Sequence, residues 1–213
     1  MITESSEQEQ FIDIDHVQHP NKRRRKAVDY VSQTPSILPF QSNSSKLVSN
    51  IFPSDAPRLL SNFALLDVEY EGKVYPTVEH AFQAQKYCCT DIPEYSEEFT
   101  IGGKILTPLA AKQAGSRSGM KKMKTALDVV QWNSIKLGVM TALIRSKVER
   151  YPEVRSILLC ARSRGIQLVH TSRSDLEWGA HLNESKTGLK RGQNLLGLIY
   201  SQIPLEVNDV AVV

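Results

Sequence analysis

Thirteen residues, from Tyr75 to Tyr87, bring together a hydroxyl, a carboxylate, an imidazole, two amides and an ammonium group in the order Tyr-Pro-Thr-Val-Glu-His-Ala-Phe-Gln-Ala-Gln-Lys-Tyr. Pro76 restricts the backbone just ahead of Thr77, and threonine is a good N-cap, so the spacing predicts a helix that starts here. On a period of 3.6, Glu79, Gln83 and Lys86 share one face, while Val78, Ala81, Phe82 and Gln85 lie on other sides. An acid, an amide and a cation thus stand within about two turns of one another. Glu79 falls in the first turn, where the helix dipole favours the ionised carboxylate. That predicts a base, or a stabiliser of developing positive charge, rather than a general acid, which needs a raised pKa. The plain alternative is a first-turn acid that serves only the dipole. His80 either orients Glu79 or binds substrate, or it is a buried, hydrogen-bonded histidine. Gln83 and Lys86 are each substrate contacts or ordinary helix polar groups.

A second carboxylate, Asp175, opens the string Asp-Leu-Glu-Trp-Gly. It is either a second reactive carboxylate, a partner in proton transfer, or the cap of a turn before Trp178. Trp178, beside Gly179, and Trp132 are candidates to sandwich a flat ring, although Trp132 also fits a core position. Gly192-Gln193-Asn194 precedes a helical stretch that contains Gly197, and its free backbone N–H groups could hold a phosphate. The residues before it do not read as a strand, so it is not a dinucleotide fingerprint. Arg117, Lys121, Lys122 and Lys124 lie close together in a stretch that reads as a loop. They are phosphate or nucleic-acid contacts or a solvated charge run. Asn62 and Phe63 either line a pocket or fill the base of a hairpin.

The elements that position these residues follow from periodicity and punctuation. Val68 to Tyr75 alternates around Gly72-Lys73 and predicts a small β-hairpin that leads straight into the Pro76 helix. Tyr87 to Thr107, broken by Pro93 and Gly102-Gly103, reads mostly as loop. Leu109 to Ala114 predicts a short helix stopped at Gly115. Asp128 to Arg150 predicts a long helix with Trp132, Ile135, Val139, Leu143 and Ile144 facing inward. Tyr151-Pro152-Glu153 breaks it, and Val154 to Ala161 is a further helix. Gly165 to His170 reads as a strand, and Asn194 to Gln202 as a last helix capped by Asn194. Residues after Leu205 read as a loose, flexible end.

The chain has 213 residues and a net charge of +3, too mild to establish nucleic-acid binding by itself. Residues 1–57 are rich in Ser, Gln, Pro and Asn and lack sustained apolar periodicity, which predicts a disordered tail. The tail carries seven acids against six bases, so the positive charge resides in the remainder. Within the tail, Lys22-Arg23-Arg24-Arg25-Lys26 reads as an import signal for a receptor, a nucleic-acid arm or a solvated run. Phe11 to Val17 alternates apolar and acidic residues and could add to a partner's sheet edge. Three cysteines, Cys88, Cys89 and Cys160, without C-x-x-C spacing, suggest a reducing cytoplasmic or nuclear setting and no zinc site. No run is apolar and long enough to span a membrane, and Met1 to Gln10 does not read as a signal peptide.

In chain order, Ser61-Asn62-Phe63, the Thr77-Val78-Glu79-His80-Ala81-Phe82-Gln83-Ala84-Gln85-Lys86 string, Ala111-Lys112 with Gly115, Trp132, Leu158-Leu159, Asp175-x-x-Trp178-Gly179 and Gly192-x-Asn194-Leu195-Leu196-Gly197 resemble the NADAR family of YbiA-like N-glycosidases. The resemblance spans about residues 58–204, with the Thr77–Lys86 string its strongest part. It implies a compact, predominantly helical α+β domain with a small β-sheet or hairpin, acting without metal or cofactor; the sequence leaves the oligomeric state open, with a monomer favoured. It also implies hydrolysis of a bond between ribose C1′ and a nitrogen. The substrate would be ADP-ribose on guanine in DNA, RNA or nucleotides. The alternatives are phosphoribosylamino-pyrimidine intermediates of riboflavin synthesis, or no catalysis and simple binding of ADP-ribose or NAD. Such a reaction passes through an oxocarbenium-like state, which suits Glu79 as cation stabiliser and water activator and gives Asp175 the second role. The chain departs from the family pattern at His170, Ala180-His181 and Leu198, and in a longer Ser116 to Val130 segment, all read as the pocket rim.

Overall fold

The computed structural model describes residues 36–41 and 55–205. The basic run at 22–26, the Phe11–Val17 stretch and residues 206–213 lie outside them. The described part is α+β, with seven α-helices and three two-stranded sheets. Strand β1, Ile37–Phe40, is followed by the short helix α1, Ala56–Leu60. β1 falls inside the segment expected to be tail. Its side chains Ile37, Leu38 and Phe40 are buried, and it pairs in parallel with β4, Gln167–His170, so ordered structure begins well before Pro57. Four residues with Pro39 among them are too short and broken to announce a strand; the pairing is supplied by a segment more than a hundred residues away.

The hairpin consists of β2, Val68–Tyr70, and β3, Lys73–Tyr75. Its turn residues are Glu71 and Gly72, both with positive φ, one position earlier than the sequence suggests. Two left-handed residues match the twist of the flanking strands. Helix α2, Val78–Tyr87, follows at once, and Thr77 caps it by accepting the His80 backbone N–H at 3.2 Å. Every residue of α2 except Lys86 is buried. The helix is packed against α3, Pro108–Ala114, α5, Val129–Arg150, the hairpin, and a 3₁₀ helix, Pro93–Phe99, in the region expected to be loop. The 3₁₀ helix lacks long-range periodicity, but Tyr95 and Phe99 stack around Tyr87 and fold it down.

Ser116 to Lys124 is also not a loop. Ser116 accepts the Gly119 N–H at 3.1 Å and starts α4, Arg117–Lys122. Gly119 makes this possible, because a Cβ there would lie 2.2 Å from the Gln113 carbonyl. Asp128, read as the first residue of the long helix, is instead the cap of α5, accepting the Gln131 N–H at 3.0 Å. Inward-facing α5 residues are Trp132, Val139, Met140, Leu143, Ile144, Lys147 and Val148; Ile135 is on the exposed side, 37% accessible. Helix α6, Pro152–Ser163, begins at the proline itself, where its missing N–H costs nothing. β5, Ala180–Leu182, and β6, Leu189–Gly192, form the third sheet, and α7, Leu195–Gln202, packs on β4.

Among the described residues no helix is long and apolar enough to cross a membrane.

Candidate active site

The predicted face of α2 forms one wall of a cavity of about 360 Å3. Glu79, Gln83 and Lys86 all line it, with Phe82 between them. Gln83 Nε2 donates to Glu79 Oε1 at 2.8 Å, and Lys86 Nζ donates to the Gly115 carbonyl at 3.3 Å. Glycine at 115 lets Gln83 hold this position, since a Cβ would sit 2.0 Å from Gln83 Oε1. Two further lysines face the same space, Lys112 from α3 and Lys136 from α5. The opposite wall comes from the end of β4, which brings His170, and from the loop after it, which brings Asp175, Glu177 and Trp178 to the cavity. Asn62 and Met140 complete it.

Trp132 and Trp178 both line the cavity and both meet Phe82 edge-on, with centroids 4.9 and 5.3 Å away. Each such contact contributes about 1 kcal/mol beyond burial. The Lys86 ammonium lies 5.8 Å from the Phe82 ring centre and 5.9 Å from that of Trp132.

Glu79 is 7% exposed, and burial raises its pKa above the ordinary carboxylate value. The Gln83 hydrogen bond and the charges of Lys112 and Lys86 oppose that rise, and Asp175 adds to it. This overturns the expectation that the helix dipole would dominate and keep the pKa low. The dipole acts through a few partial charges at the helix start, whereas removing a carboxylate from water is far more costly. The Glu79 backbone N–H is, moreover, taken by the Asn62 carbonyl at 3.0 Å. Burial also lowers the pKa of Lys86, against the pull of Glu79 and Asp175. The buried acid is therefore a stronger base than usual and the buried ammonium a stronger acid, for the same reason.

Asp175 caps the turn before Trp178 and also lines the cavity. Its Oδ1 accepts the Trp178 N–H at 3.0 Å, fixing the turn, while the carboxylate faces the cavity. Four buried side-chain atoms find no hydrogen-bond partner among the described residues, and three belong to cavity-lining residues: Asn62 Oδ1, Gln83 Oε1 and His170 Nδ1. Orphaned buried polar atoms are rare unless something else satisfies them. Two of the three are acceptors, which suits a ligand rich in hydroxyl donors.

Other expected site residues are structural. His80 is fully buried, with Nδ1 paired to the Thr77 hydroxyl at 2.8 Å, and does not line the cavity. Phe63 does not line the cavity; its ring centre lies 5.7 Å from the ammonium of Lys112, which does. Gly179 permits close approach to β4, since a Cβ would meet the His170 carbonyl at 2.7 Å. Gly192 has φ of +110° and fits against Gly179.

Asn194 does not cap α7 with its side chain. It adopts a left-handed conformation, accepts the His170 N–H through Oδ1 and donates from Nδ2 to the Leu168 carbonyl, both at 2.9 Å. The side chain thus pairs with β4 as a strand would. Nor does this turn offer free N–H groups to a phosphate. Those of Gln193, Asn194, Leu195 and Leu196 are bonded to the carbonyls of Leu176, Gly179, Glu177 and Trp178. The glycine-rich turn clamps the loop that carries Asp175, Glu177 and Trp178.

Sequence reasoning missed Lys112, Lys136, Glu177 and Met140 as lining residues, whereas His170 and Ser116, read as pocket rim, do line the cavity. Lys136 lies one helical turn after Trp132 and pairs with Glu177 at 2.6 Å, joining α5 to the Asp175 loop. That spacing was visible in the sequence; the pairing was not. Arg117, Lys121 and Lys124 line a neighbouring groove rather than the cavity, and Lys122 lines neither. No group of three His, Cys, Asp or Glu suited to a metal occurs among the described residues.

Residues 40–206 match the NADAR domain. The chain belongs to the NADAR family. N-glycosidase YbiA of Escherichia coli K12 is 32% identical over 143 residues, 67% of this chain and 77% of that one, and its Shigella boydii counterpart matches equally. The maize protein named riboflavin biosynthesis protein PYRR, chloroplastic, is 28% identical over 180 residues, 81% of this chain but 26% of its own length. The NMR structure of E. coli YbiA superposes with a TM-score of 0.54 at 27% identity, covering 80% of this chain and 85% of YbiA. NADAR membership thus accounts for the YbiA-like fold, and the enzyme class is that of an N-glycosyl-bond hydrolase.

Proposed function

We propose that this NADAR protein removes ADP-ribose from guanine bases, in nucleic acid or in nucleotides, by hydrolysing the ribose C1′–N bond. The observation that carries the reading is the buried Glu79, its pKa raised by burial, in a cavity walled by two tryptophans and left with unpaired acceptors. In this reading the base stacks between aromatic walls, and the ribose hydroxyls donate to Asn62 Oδ1 and Gln83 Oε1. The C1′–N electron pair leaves with the base nitrogen. Glu79 and Asp175 stabilise the cationic sugar, and Glu79 takes a proton from water as its oxygen bonds to C1′. Lys86, poised over Phe82 and Trp132, gives a proton to the departing nitrogen and recovers one from Glu79. One water is consumed; its hydroxyl ends on the sugar and its hydrogen on the base. A base inside a duplex cannot reach such a cavity without extrusion, so single strands are the better substrates.

The likeness to the maize riboflavin protein supports a second reading, hydrolysis of a phosphoribosylamino-pyrimidine. The two are separated by incubating the protein with an ADP-ribosylated single-stranded oligonucleotide and, in parallel, with the pyrimidine intermediate. Release of ADP-ribose at the higher kcat/KM supports the first reading. Turnover of the pyrimidine alone overturns it.

A further inference from the structure

His170, the last residue of β4, lines the cavity but has no task in the reaction written above. Its Nδ1 is buried and finds no hydrogen-bond partner among the described residues. The ring is nevertheless held firmly. Asn194 Oδ1 accepts the His170 backbone N–H at 2.9 Å. Phe40 of β1, 1% exposed, lies against the imidazole with ring centres 5.4 Å apart and planes tilted by 33°. The two residues are partners in the β1–β4 register, and the Thr171 N–H bonds to the Phe40 carbonyl at 2.8 Å. Tyr200 of α7 backs Phe40 edge-on at 5.8 Å. Strand β1 thus fixes an imidazole in the cavity wall with one nitrogen that the protein leaves unclaimed.

The chemistry of that nitrogen narrows what it meets. Burial lowers the pKa of the ring, with a smaller push from Lys112, against the Asp175 carboxylate and the Trp178 backbone. The ring is therefore neutral near pH 7 and is no anchor for a phosphate. In a neutral imidazole Nδ1 donates in one tautomer and accepts in the other. A hydroxyl satisfies it in both, because a hydroxyl donates and accepts, whereas a carbonyl oxygen fits only one. The charge that acts most on the ring is that of Asp175, on the same wall of the cavity. Asp175 is the carboxylate that faces the sugar during cleavage.

We propose that His170 is a specificity-determining residue whose Nδ1 pairs with one hydroxyl of the ribose that is released. The proposal rests on the cavity being the ribosyl site. A substrate without that hydroxyl leaves the buried nitrogen unpaired, so the site selects ribosyl over deoxyribosyl groups.

The test measures kcat/KM for ADP-ribosyl-guanine and for the phosphoribosylamino-pyrimidine, each with an intact, a 2′-deoxy and a 3′-deoxy ribose at the C1′–N bond. The proteins are wild type, His170→Phe, which keeps a flat ring against Phe40 and removes the nitrogen, and His170→Asn, which keeps a polar atom near the place of Nδ1. Wild type should lose about tenfold or more on one of the two deoxy analogues. In His170→Phe that penalty should shrink to within about twofold, and His170→Asn should restore most of it. A merely structural role lowers the rate on all three sugars alike and leaves the ratios unchanged; that result overturns the proposal. So does a wild type that pays no penalty on either analogue, whatever the folding of the variants. No release by wild type from any of these substrates removes the ribosyl reading itself, whereas release with equal penalties in all three proteins removes only the role of His170.

Discussion

Lys147 offers the sharpest physical test of the fold that carries the site. It lies on α5, fully inaccessible, with Nζ 2.8 Å from the Ser61 carbonyl, one residue before the cavity-lining Asn62. It forms no ion pair among the described residues, and burial lowers its pKa to about 7. The unfolded chain holds this proton up to its ordinary pKa of 10.5, whereas the folded chain releases it near 7. Between those values the unfolded state binds more protons, so stability rises with pH at a slope approaching about 1.4 kcal/mol per unit. From pH 7 to 8.5 the gain from this one group is about 1.5–2 kcal/mol. Below pH 7 the folded state must carry the buried charge, and the contribution stays at its minimum. Lys147→Met removes the titration and keeps the volume, and the Ser61 carbonyl retains the Ala64 N–H at 3.2 Å. Urea unfolding at pH 7.0 and 8.5 is the assay. Wild type should gain more than the variant over this interval by about the stated amount, and the variant should be more stable than wild type at pH 7. Equal slopes in the two proteins would refute the reasoning and mean that water or a rearrangement solvates the ammonium.

Three further predictions concern the site. Because burial raises the Glu79 pKa, kcat/KM should fall on acidification at a pH above that of an ordinary carboxylate, as the base becomes protonated; a pH–rate profile with an acid limb at or below 4.5 contradicts this. Gly115→Ala places a methyl on Gln83 and should dislodge it from Glu79, lowering kcat at least about tenfold while a thermal melt shows a well-folded protein. Asn194→Ala removes two hydrogen bonds to β4 and leaves a left-handed alanine, so it should cost about 2–4 kcal/mol in urea unfolding and loosen the Asp175 loop.

The sequence made the Thr77–Lys86 helix and its reactive face legible because both depend on local spacing. Thr77 could be identified as a cap, and Glu79, Gln83 and Lys86 as neighbours, without knowing anything distant. The ionisation of Glu79 was not legible in the same way. It depends on desolvation, and the walls that exclude water come from α3, α5 and the loop after β4. For the same reason Gly192 and Asn194 were assigned the wrong task. Their residue types fit a phosphate turn, but the Leu176 to Gly179 carbonyls had already taken the N–H groups. Strand β1 was hidden because its partner is β4, and α4 because a glycine and three cations look like loop until Ser116 caps them.

The central claim is that Glu79 drives hydrolysis of a ribosyl C1′–N bond. Its most direct test is single-turnover release of ADP-ribose from an ADP-ribosylated guanine oligonucleotide by the wild type and by Glu79→Gln. Glutamine preserves shape and removes a buried charge, so the variant should fold at least as stably at pH 8 and still bind substrate. The account predicts a rate reduced by at least about a hundredfold with binding retained. Release by Glu79→Gln at the wild-type rate would contradict it.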